Sequence, residues 1–325
     1  MRTIDSPEFS LIRTFVSAFD LPPPPAGPGD DCAVVRPGTM DLCVTTDAVI
    51  EGVHFILPRF SFHDVGHKAL AVNLSDLAAM GAKPRWFVCA LALPARLRPG
   101  VPRMAAGMSR LARLHGAVLV GGNVSAAPEL SITVTAIGEV VRGRALTRSG
   151  ARPGDLLYVS GTLGDARLGL TLLERGIRSR AAKRQLRPEP RIGLGRICAR
   201  YARAAIDISD GFAQDLAQLC RASAVGARVD ADSLPVSAEV LRRAGSRERA
   251  TRWALRGGED YELLVAVPPN RTRAFERHCA RAGQRVSQVG VLTAGAQLRF
   301  VSAQGATLPP PRGFDHFATV RSGAV

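Results

Sequence analysis

The sequence predicts an α/β protein with mixed sheets (α+β in part) and two domains. Its 325 residues exceed the ~100–200 residues of a typical single domain. Short apolar runs alternate with stretches of helical period along the chain, which is the pattern of α/β folds. A polar stretch at residues 142–150, RGRALTRSG, separates two such series. We therefore expect an N-terminal domain of residues 1–143 and a C-terminal domain of residues 144–325.

The first series begins with a helix at residues 8–19, because Ser6 and Pro7 form a typical helix start and the apolar side chains fall on one face. Strands are predicted at residues 32–35 and 42–46, with a loop at 47–55. The segment 68–84, KALAVNLSDLAAMGAKP, is predicted as the helix around which the domain is organised, ending at Gly81 and Pro84. Further expected elements are a strand at 86–93, a helix at 101–115, a strand at 117–120 ending in Gly121-Gly122-Asn123, and an alternating strand at 130–136.

The second series begins with a strand at residues 156–159, after which Gly161–Asp165 opens a helix. A glycine-rich entry to a helix can hold phosphate on its N–H groups, but an ordinary turn explains this one equally well. Residues 206–210 lead into a helix that runs through Cys220. Residues 256–262 lead into a strand at 263–267, and a closing β-α-β run ends the chain.

Composition excludes several classes of protein. The chain has no apolar run of ~18 residues and no signal-peptide pattern at its start, and its six cysteines show no CxxC spacing. We therefore expect a cytoplasmic protein with reduced thiols and no membrane contact. The net charge of +15 comes almost entirely from arginines spread along the chain. With two Trp and three Tyr for base stacking, compositional bias explains this charge better than nucleic-acid binding.

Neither common nucleotide-binding motif is present. The three lysines are Lys68, Lys83 and Lys183, and none follows a glycine, so the chain has no P-loop. The pattern that begins at Gly193 ends in Cys198 in place of the last glycine, and no predicted strand precedes it. A nucleotide, if bound, must be held by another arrangement.

Carboxylates gather at the ends of apolar runs, where solvated acids are least expected. Asp76 lies inside the apolar segment 68–84, and other acids adjoin apolar runs at Asp30, Asp31, Asp47, Asp207 and Asp210. A capping or solvated role explains Asp76 alone equally well. As a set, these hard oxygen ligands are what Mg²⁺ requires.

Seven motifs then identify a family by resemblance. In chain order they are GDDCAVV, TTDAVIEGVHF, KALAVNLSDLAAMGAKP, GRALTRSGARPGD, AIDISDG, GGEDYELL and GFDHFA. Together they closely resemble the thiamine-monophosphate kinases of the AIR-synthetase-like ATP-binding superfamily. The resemblance implies transfer of the γ-phosphate of ATP to thiamine monophosphate, with several Mg²⁺ ions. It also implies a homodimer in which the N-terminal sheets of two subunits pair into a barrel, and an active-site cleft closed by the C-terminal domain.

The resemblance also assigns residues by motif. It implies a metal-ligand set of Asp31, Thr45, Thr46, Asp47, Asp76, Asn123, Asp207 and Asp210. ATP contacts would be made by Gly122, Asn123, Arg148 and Ser209, and thiamine phosphate contacts by His54, Glu259 and Phe314. No general base is assigned, because the acceptor is a phosphate monoester with a second pKa of ~6, already mostly anionic at pH 7.

One position departs from the family pattern. Asn123 stands where the family has a carboxylate metal ligand. A kinase with a weaker metal site and a degenerate kinase that binds thiamine phosphates without turnover both fit this change. Another ATP-dependent synthetase of the superfamily is a further alternative, against which the EGVHF and GFDHF motifs argue.

Overall fold

Two mixed β-sheets organise residues 30–302 and 307–308, the part of the chain that the computed structural model describes. The helix predicted at residues 8–19 and the motif that contains Phe314 lie outside these ranges. One sheet is formed within residues 33–141 and the other within residues 156–308. The expected α/β class is confirmed. The domain boundary at residues 143/144 stays a prediction, and it falls between the two sheets.

The first sheet has the strand order β1-β2-β5-β3-β4, and only β3 and β4 run parallel. Its strands are β1 (Ala33–Val35), β2 (Met40–Ile50), β3 (Lys83–Leu93), β4 (Val118–Ala126) and β5 (Ser131–Val141). Four of these strands are longer than predicted. Strand β2 continues through Asp47, β4 continues through Gly121-Gly122-Asn123, β5 continues past residue 136 to Val141, and β3 begins at Lys83 instead of residue 86. In β2 and β4, pairing with a long neighbouring strand overrides the weak strand propensity of glycine, asparagine and aspartate.

Two long helices pack together in the N-terminal half, α1 (Phe62–Ala79) and α2 (Val101–His115). Helix α1 begins six residues before the predicted start at residue 68, because Ser61 and Asp64 form a capping box. The two backbones approach closely where each has a glycine. A Cβ on Gly66 would lie 2.0 Å from the carbonyl oxygen of Met104, and one on Gly107 would lie 2.0 Å from that of His63.

The second sheet has the order β12-β11-β8-β10-β6-β9-β7 and is antiparallel except for the β8–β11 pair. Its strands are β6 (Leu156–Ser160), β7 (Ala204–Asp207), β8 (Gly226–Asp230), β9 (Leu263–Val267), β10 (Val286–Thr293), β11 (Leu298–Val301) and β12 (Thr307–Leu308). The helices of this half are α3 (Asp165–Glu174), α4 (Arg180–Leu186), α5 (Ile192–Tyr201), α6 (Phe212–Ala222), α7 (Ala238–Ala244), α8 (Arg247–Arg256) and α9 (Thr272–Arg281).

Helix α1 lies between the two halves of the protein. It packs on β2 and β5 of the first sheet and also contacts α5 and β7 of the second half. A single hydrophobic core accordingly continues from α1 residues such as Leu70 and Leu77 to Val265 and Phe275. Because α1 is buried on nearly every side, it is apolar all round rather than amphipathic. Its few polar side chains therefore need partners inside the protein.

Two predictions from composition can be compared with the described residues. All six cysteines are free thiols, five of them buried and Cys89 half-buried. Among the described helices, none combines the length and the apolarity that crossing a bilayer requires.

Candidate active site

A polar cavity of about 330 Å³ lies where β2, α1 and the segment after β7 meet. Ten of the residues assigned by motif line it, and they come from both halves of the chain. They are Asp31, Thr45, Thr46, Asp47, His54, Asp76, Arg148, Asp207, Ser209 and Asp210. The tertiary structure thus brings most of the expected site together.

Three carboxylates form the centre of this cavity. Asp31, Asp76 and Asp207 each place one oxygen within 4.8 Å of the others. Asp31 and Asp207 are buried and Asp76 is partly buried. They come from the segment before β1, from α1 and from the end of β7, so the cluster joins the two halves of the protein.

Hydrogen bonds within the protein hold these carboxylates in place. The Thr45 hydroxyl donates to Asp76 Oδ2 at 2.5 Å, and the Ser75 hydroxyl donates to Asp207 Oδ2 at 2.6 Å. The backbone N–H of Asp47 donates to Asn73 Oδ1 at 3.0 Å. Thr45 of β2 therefore orients Asp76 of α1, Ser75 of α1 orients Asp207 of β7, and Asn73 of α1 fixes the backbone at Asp47.

Arg148 is the cation of the cluster. Its Nη2 donates to Asp31 Oδ1 at 2.8 Å, and its Nη1 donates to Gln218 Oε1 at 2.9 Å. Its backbone N–H donates to Asp30 Oδ1 at 2.6 Å. Nearby carboxylates, Asp31 first among them, raise the pKa of Arg148 against the opposing effect of burial. The guanidinium is therefore permanently charged and fixed beside the carboxylates.

Burial and mutual repulsion disfavour the ionised forms of Asp76 and Asp207. Burial is the largest cause that raises the pKa of Asp76 well above its ordinary value, and Asp47 and Asp207 add to it. Burial, followed by the charge of Asp31, likewise raises the pKa of Asp207. A cation in the cavity would relieve both effects. Because all the donors are hard carboxylate and hydroxyl oxygens, the site fits Mg²⁺.

Ser209, Asp210 and Tyr261 line the cavity from two paired segments, residues 208–211 and 259–262. Glu259 N–H donates to the Ser209 carbonyl at 2.7 Å, and Tyr261 N–H donates to the Ile208 carbonyl at 2.9 Å. Both Glu259 and Tyr261 have positive φ, at 64° and 49°. Such backbone strain in residues other than glycine is typical of functional sites.

The buried carboxylate of Asp215 fixes the loop that carries Asp210. Its Oδ2 accepts from the N–H groups of Asp210 and Gly211 at 3.2 and 3.0 Å. Gln214 Nε2 also donates to Asp210 Oδ2 at 3.0 Å. Asp210 thus faces the cavity on a loop whose backbone is held from within the protein.

Two of the three residues assigned to the thiamine phosphate contacts are connected to each other beside the cavity. His54 lines it, and Glu259 is tied to the His54 loop through Lys68. The Lys68 ammonium lies 2.6 Å from Glu259 Oε1 and donates to the His54 carbonyl at 3.0 Å. Phe314 lies outside the described residues, so its assignment stays a prediction.

The glycine-rich entry to α3 is an ordinary turn in this structure. The carboxylate of Asp260 accepts from Gly164 N–H at 2.7 Å and from Ala166 N–H at 3.1 Å. Burial raises the pKa of Asp260 to about 8, against the lowering effect of these hydrogen bonds. These donors at the helix start are thus satisfied by the protein itself.

Gly122 and Asn123 are not brought to the cavity. They lie on β4, the exposed edge strand, which is separated from β2 by β5 and β3. At ~4.8 Å per strand, this places them ~14 Å from Asp47 along the sheet. Gly122 also has a structural reason to be glycine, because a Cβ there would lie 2.1 Å from the Cys89 carbonyl oxygen. Their metal and ATP contacts stay predictions.

Several residues of the site have no assignment from the motifs. They include Asp30, Lys68, Asn73, Gln185, Asp215 and Gln218. The sequence could have indicated two of them, because Lys68 and Asn73 are polar residues inside the apolar segment 68–84. Gln185, Asp215 and Gln218 look like ordinary residues of amphipathic helices, and only the structure shows their partners.

Comparison with known proteins agrees with this geometry. Residues 29–140 match the N-terminal domain and residues 152–302 the C-terminal domain of AIR synthase related proteins. The thiamine-monophosphate kinase of Escherichia coli strain K12 is 41% identical over 96% of this chain and 98% of its own length. That of Bacillus subtilis strain 168 is 35% identical, covering 95% of this chain and 99% of its own.

Solved structures give the same result. AaThiL complexed with AMPPCP and TMP superposes with a TM-score of 0.83 at 34% identity, covering 95% of this chain and 97% of AaThiL. The thiamine-monophosphate kinase of Stenotrophomonas maltophilia K279a reaches a TM-score of 0.78 at 37% identity, with 92% and 96% covered. A chain of the HypE–HypF complex, at 20% identity and a TM-score of 0.75 over 93% of this chain and 99% of that one, shares the fold.

Proposed function

Because the chain belongs to the thiamine-monophosphate kinase family of AIR synthase related proteins, we propose that it phosphorylates thiamine monophosphate with ATP. The products are thiamine diphosphate and ADP. The protein is thus a phosphotransferase whose acceptor is itself a phosphate group.

The observation that carries this proposal is the cluster of Asp31, Asp76 and Asp207, with one oxygen of each within 4.8 Å of the others. Two polyanions must meet in this reaction, and phosphoryl transfer is catalysed mainly by positioning and by neutralising charge. We propose that these carboxylates hold Mg²⁺, together with Thr45, Thr46, Asp47 and Asp210 of the same cavity. The ions would supply positive charge to the phosphates of both substrates.

The chain's own residues position the reactants. Arg148, fixed on Asp31 and Gln218, presents its guanidinium to the phosphates of ATP. Asp76 and Asp207 keep their orientation through Thr45 and Ser75. No side chain is needed as a general base, because the acceptor phosphate is mostly ionised at pH 7. Ser209, on the strained wall of the cavity, completes the proposed nucleotide contacts.

His54 and Glu259 form the proposed contacts to thiamine phosphate, with Phe314 from the C-terminal motif. The Glu259 carboxylate is ionised: against the opposing effect of burial, Lys68 lowers the pKa of Glu259. A cationic thiazolium ring would suit stacking on an aromatic side chain such as Phe314.

A turnover assay tests the proposal. Purified protein is incubated with ATP and thiamine monophosphate while Mg²⁺ is varied, and ADP and thiamine diphosphate are quantified together. We expect equal amounts of both products and a requirement for Mg²⁺. Binding of thiamine monophosphate without thiamine diphosphate at any Mg²⁺ concentration would instead establish the degenerate kinase.

Asn123→Asp is expected to lower the free Mg²⁺ needed for half-maximal rate. A carboxylate oxygen carries formal charge and an amide oxygen does not; if charge roughly doubles the interaction energy, as it does for hydrogen bonds, the gain is up to ~1–2 kcal/mol. Rates are measured against free Mg²⁺ for both proteins. Ser125→Asp, which adds the same charge two residues along β4, is the matched control. Equal shifts in the two variants would mean that Asn123 is not a ligand.

We further propose that the protein is a homodimer that pairs through β4. All nine residues of β4 are exposed, and four of them are large and apolar: Val118, Leu119, Val120 and Val124. Beside the strand lies an apolar cavity of about 300 Å³ lined by side chains such as Met104, Met108 and Leu119. A second copy seated here would cover a surface that is unusually apolar for a free strand edge.

Val124→Glu is therefore expected to raise the dimer dissociation constant at least ~100-fold. Each tenfold change in the constant corresponds to ~1.4 kcal/mol, and burying an unpaired charge in the interface costs more than ~2.8 kcal/mol. Val124 is 70% exposed in the single chain. Light scattering across a dilution series measures the change. Leu114→Glu on α2, at a residue that is 75% exposed, is the control. A variant that stays dimeric at the lowest concentration would rule out β4 as the interface.

A cytoplasmic location completes the proposal. It is supported by the six free cysteines, most of them buried in the core, because oxidising compartments favour disulfides. We expect no nucleic-acid partner, and a weak, strongly salt-dependent interaction with duplex DNA would reflect the +15 charge alone.

A further inference from the structure

Lys68 is a buried ammonium group in the middle of an apolar helix. Its side chain is 1% exposed, and its neighbours on α1, such as Ala69 and Leu70, belong to the core. A buried charge of this kind is costly unless it is paired and hydrogen-bonded. The other two lysines of the chain, Lys83 and Lys183, are exposed. Lys68 therefore stands apart from the general basic character of the chain.

The ammonium group of Lys68 joins three separate parts of the structure. It lies 2.6 Å from Glu259 Oε1, in the segment before β9. It donates to the carbonyl oxygen of His54, in the loop between β2 and α1, at 3.0 Å. It also lies 5.3 Å from the centre of the Phe60 ring, which stabilises a cation over its face. One side chain thus connects the N-terminal half to the wall contributed by the C-terminal half.

Glu259 is held at both of its carboxylate oxygens. Oε1 faces Lys68, and Oε2 accepts from Nε2 of Gln185 on α4. Its backbone is in the left-handed region, with φ of 64°, a conformation that persists only where surrounding contacts enforce it. The charge of Glu259 is therefore balanced by Lys68. What this carboxylate offers a ligand is a fixed oxygen position rather than a free negative charge.

We infer that Lys68 is a positioning residue for the acceptor substrate, holding Glu259 and the His54 loop as one preformed site across the two halves of the protein. The inference rests on the proposed function, because it takes His54 and Glu259 as the contacts of thiamine phosphate. The polar groups that the Lys68 ammonium contacts, the Glu259 carboxylate and the His54 carbonyl, belong to the two residues proposed to hold the acceptor. The effect of Lys68 should therefore fall on the acceptor and not on ATP.

Lys68→Met tests this directly, because methionine fills much of the same space without the charge. We expect the KM for thiamine monophosphate to rise at least ~10-fold, since a tenfold weaker binding corresponds to a loss of only ~1.4 kcal/mol of binding free energy. The KM for ATP should change by less than ~10-fold. Lys83→Met, the same substitution at an exposed lysine, should leave both constants unchanged.

A second comparison separates positioning from loss of stability. Phe275→Leu, a change in the fully buried C-terminal core, should lower the melting temperature with little effect on the KM for thiamine monophosphate. In Lys68→Met combined with Glu259→Gln, the buried charge of Lys68 and the charge of its partly buried partner are removed together. This should recover part of the melting temperature lost in Lys68→Met. The raised KM should persist, because methionine cannot hold the His54 carbonyl or the residue at position 259.

The outcomes are distinct. If the KM for thiamine monophosphate is unchanged in Lys68→Met, or recovers in the double variant along with the melting temperature, Lys68 is only a structural residue and the inference is wrong. If the wild-type protein neither binds nor phosphorylates thiamine monophosphate, the proposed function fails, and the inference with it. Calorimetric binding of thiamine monophosphate to the wild type, measured first, distinguishes these two failures.

Discussion

Asp76→Asn is expected to abolish phosphoryl transfer and, at the same time, to stabilise the metal-free protein. The carboxylate lies within 4.8 Å of those of Asp31 and Asp207, so it is both a proposed Mg²⁺ ligand and a source of repulsion. Asparagine keeps the size of the side chain and an oxygen that can accept from Thr45, while removing the charge. Loss of function should therefore occur without loss of fold.

The pH dependence of stability follows from the same charges. Burial raises the pKa of Asp76, Asp207 and Asp215 well above the ordinary value. Above the ordinary aspartate pKa of ~4, the unfolded chain has released these protons while the folded protein still holds them. The folded state then binds more protons than the unfolded state, so stability falls as the pH rises. Mg²⁺ should oppose this fall, because it binds the ionised carboxylates of the folded protein.

Thermal unfolding with EDTA and with Mg²⁺, between pH 5 and 8, measures both effects. In EDTA, Asp76→Asn should melt at a higher temperature than the wild type, and the difference should grow with pH. In Mg²⁺, the wild type should gain more stability than the variant. Glu129→Gln removes an exposed carboxylate and should change neither curve. Turnover near the wild-type rate in Asp76→Asn would refute the metal-site assignment.

Arg148→Met should lower kcat/KM for ATP by about 10²–10³, the range found when one preorganised electrostatic contact to a transition state is removed. The Arg148 side chain is only 20% exposed, and its guanidinium is held by Asp31 and Gln218, so it needs little reorganisation during the reaction. Its loss removes a fixed positive charge from the phosphates and also leaves Asp31 without its partner. Arg148→Lys keeps the charge but cannot donate to Asp31 and Gln218 in the same geometry, so its kcat/KM for ATP should lie between those of the wild type and Arg148→Met.

The chain offers a matched control for this variant. Arg203 pairs with the buried carboxylate of Asp155 at 2.7 Å, in the same way that Arg148 pairs with Asp31, but away from the cavity. Arg203→Met should lower the melting temperature by a similar amount while leaving kcat/KM within about threefold, which is ~0.7 kcal/mol. If both variants lose activity in parallel, the role of Arg148 is structural.

The elements with strong local patterns were predictable, and those decided by distant partners were not. The strand at 263–267 and the helix at 101–115 were predicted with their observed ends, because apolar period and glycine signals coincide there. Strands β2, β4 and β5 are longer than the sequence predicts, since pairing with long neighbours extends them through Asp47, Asn123 and Val141. Helix α1 was predicted to begin too late, because its first turn is polar and depends on the Ser61 cap.

From the sequence by itself came the α/β class, the family and ten of the residues that line the cavity, because motifs record residue types and their order. The tertiary structure alone decided which of them act together. It placed Asp31, Asp76 and Asp207 in one cluster and Gly122 and Asn123 three strands away, and it joined Lys68 to Glu259. The physical reason is burial: the partner of a buried charge is chosen by packing between segments far apart in the chain, which local sequence patterns do not encode.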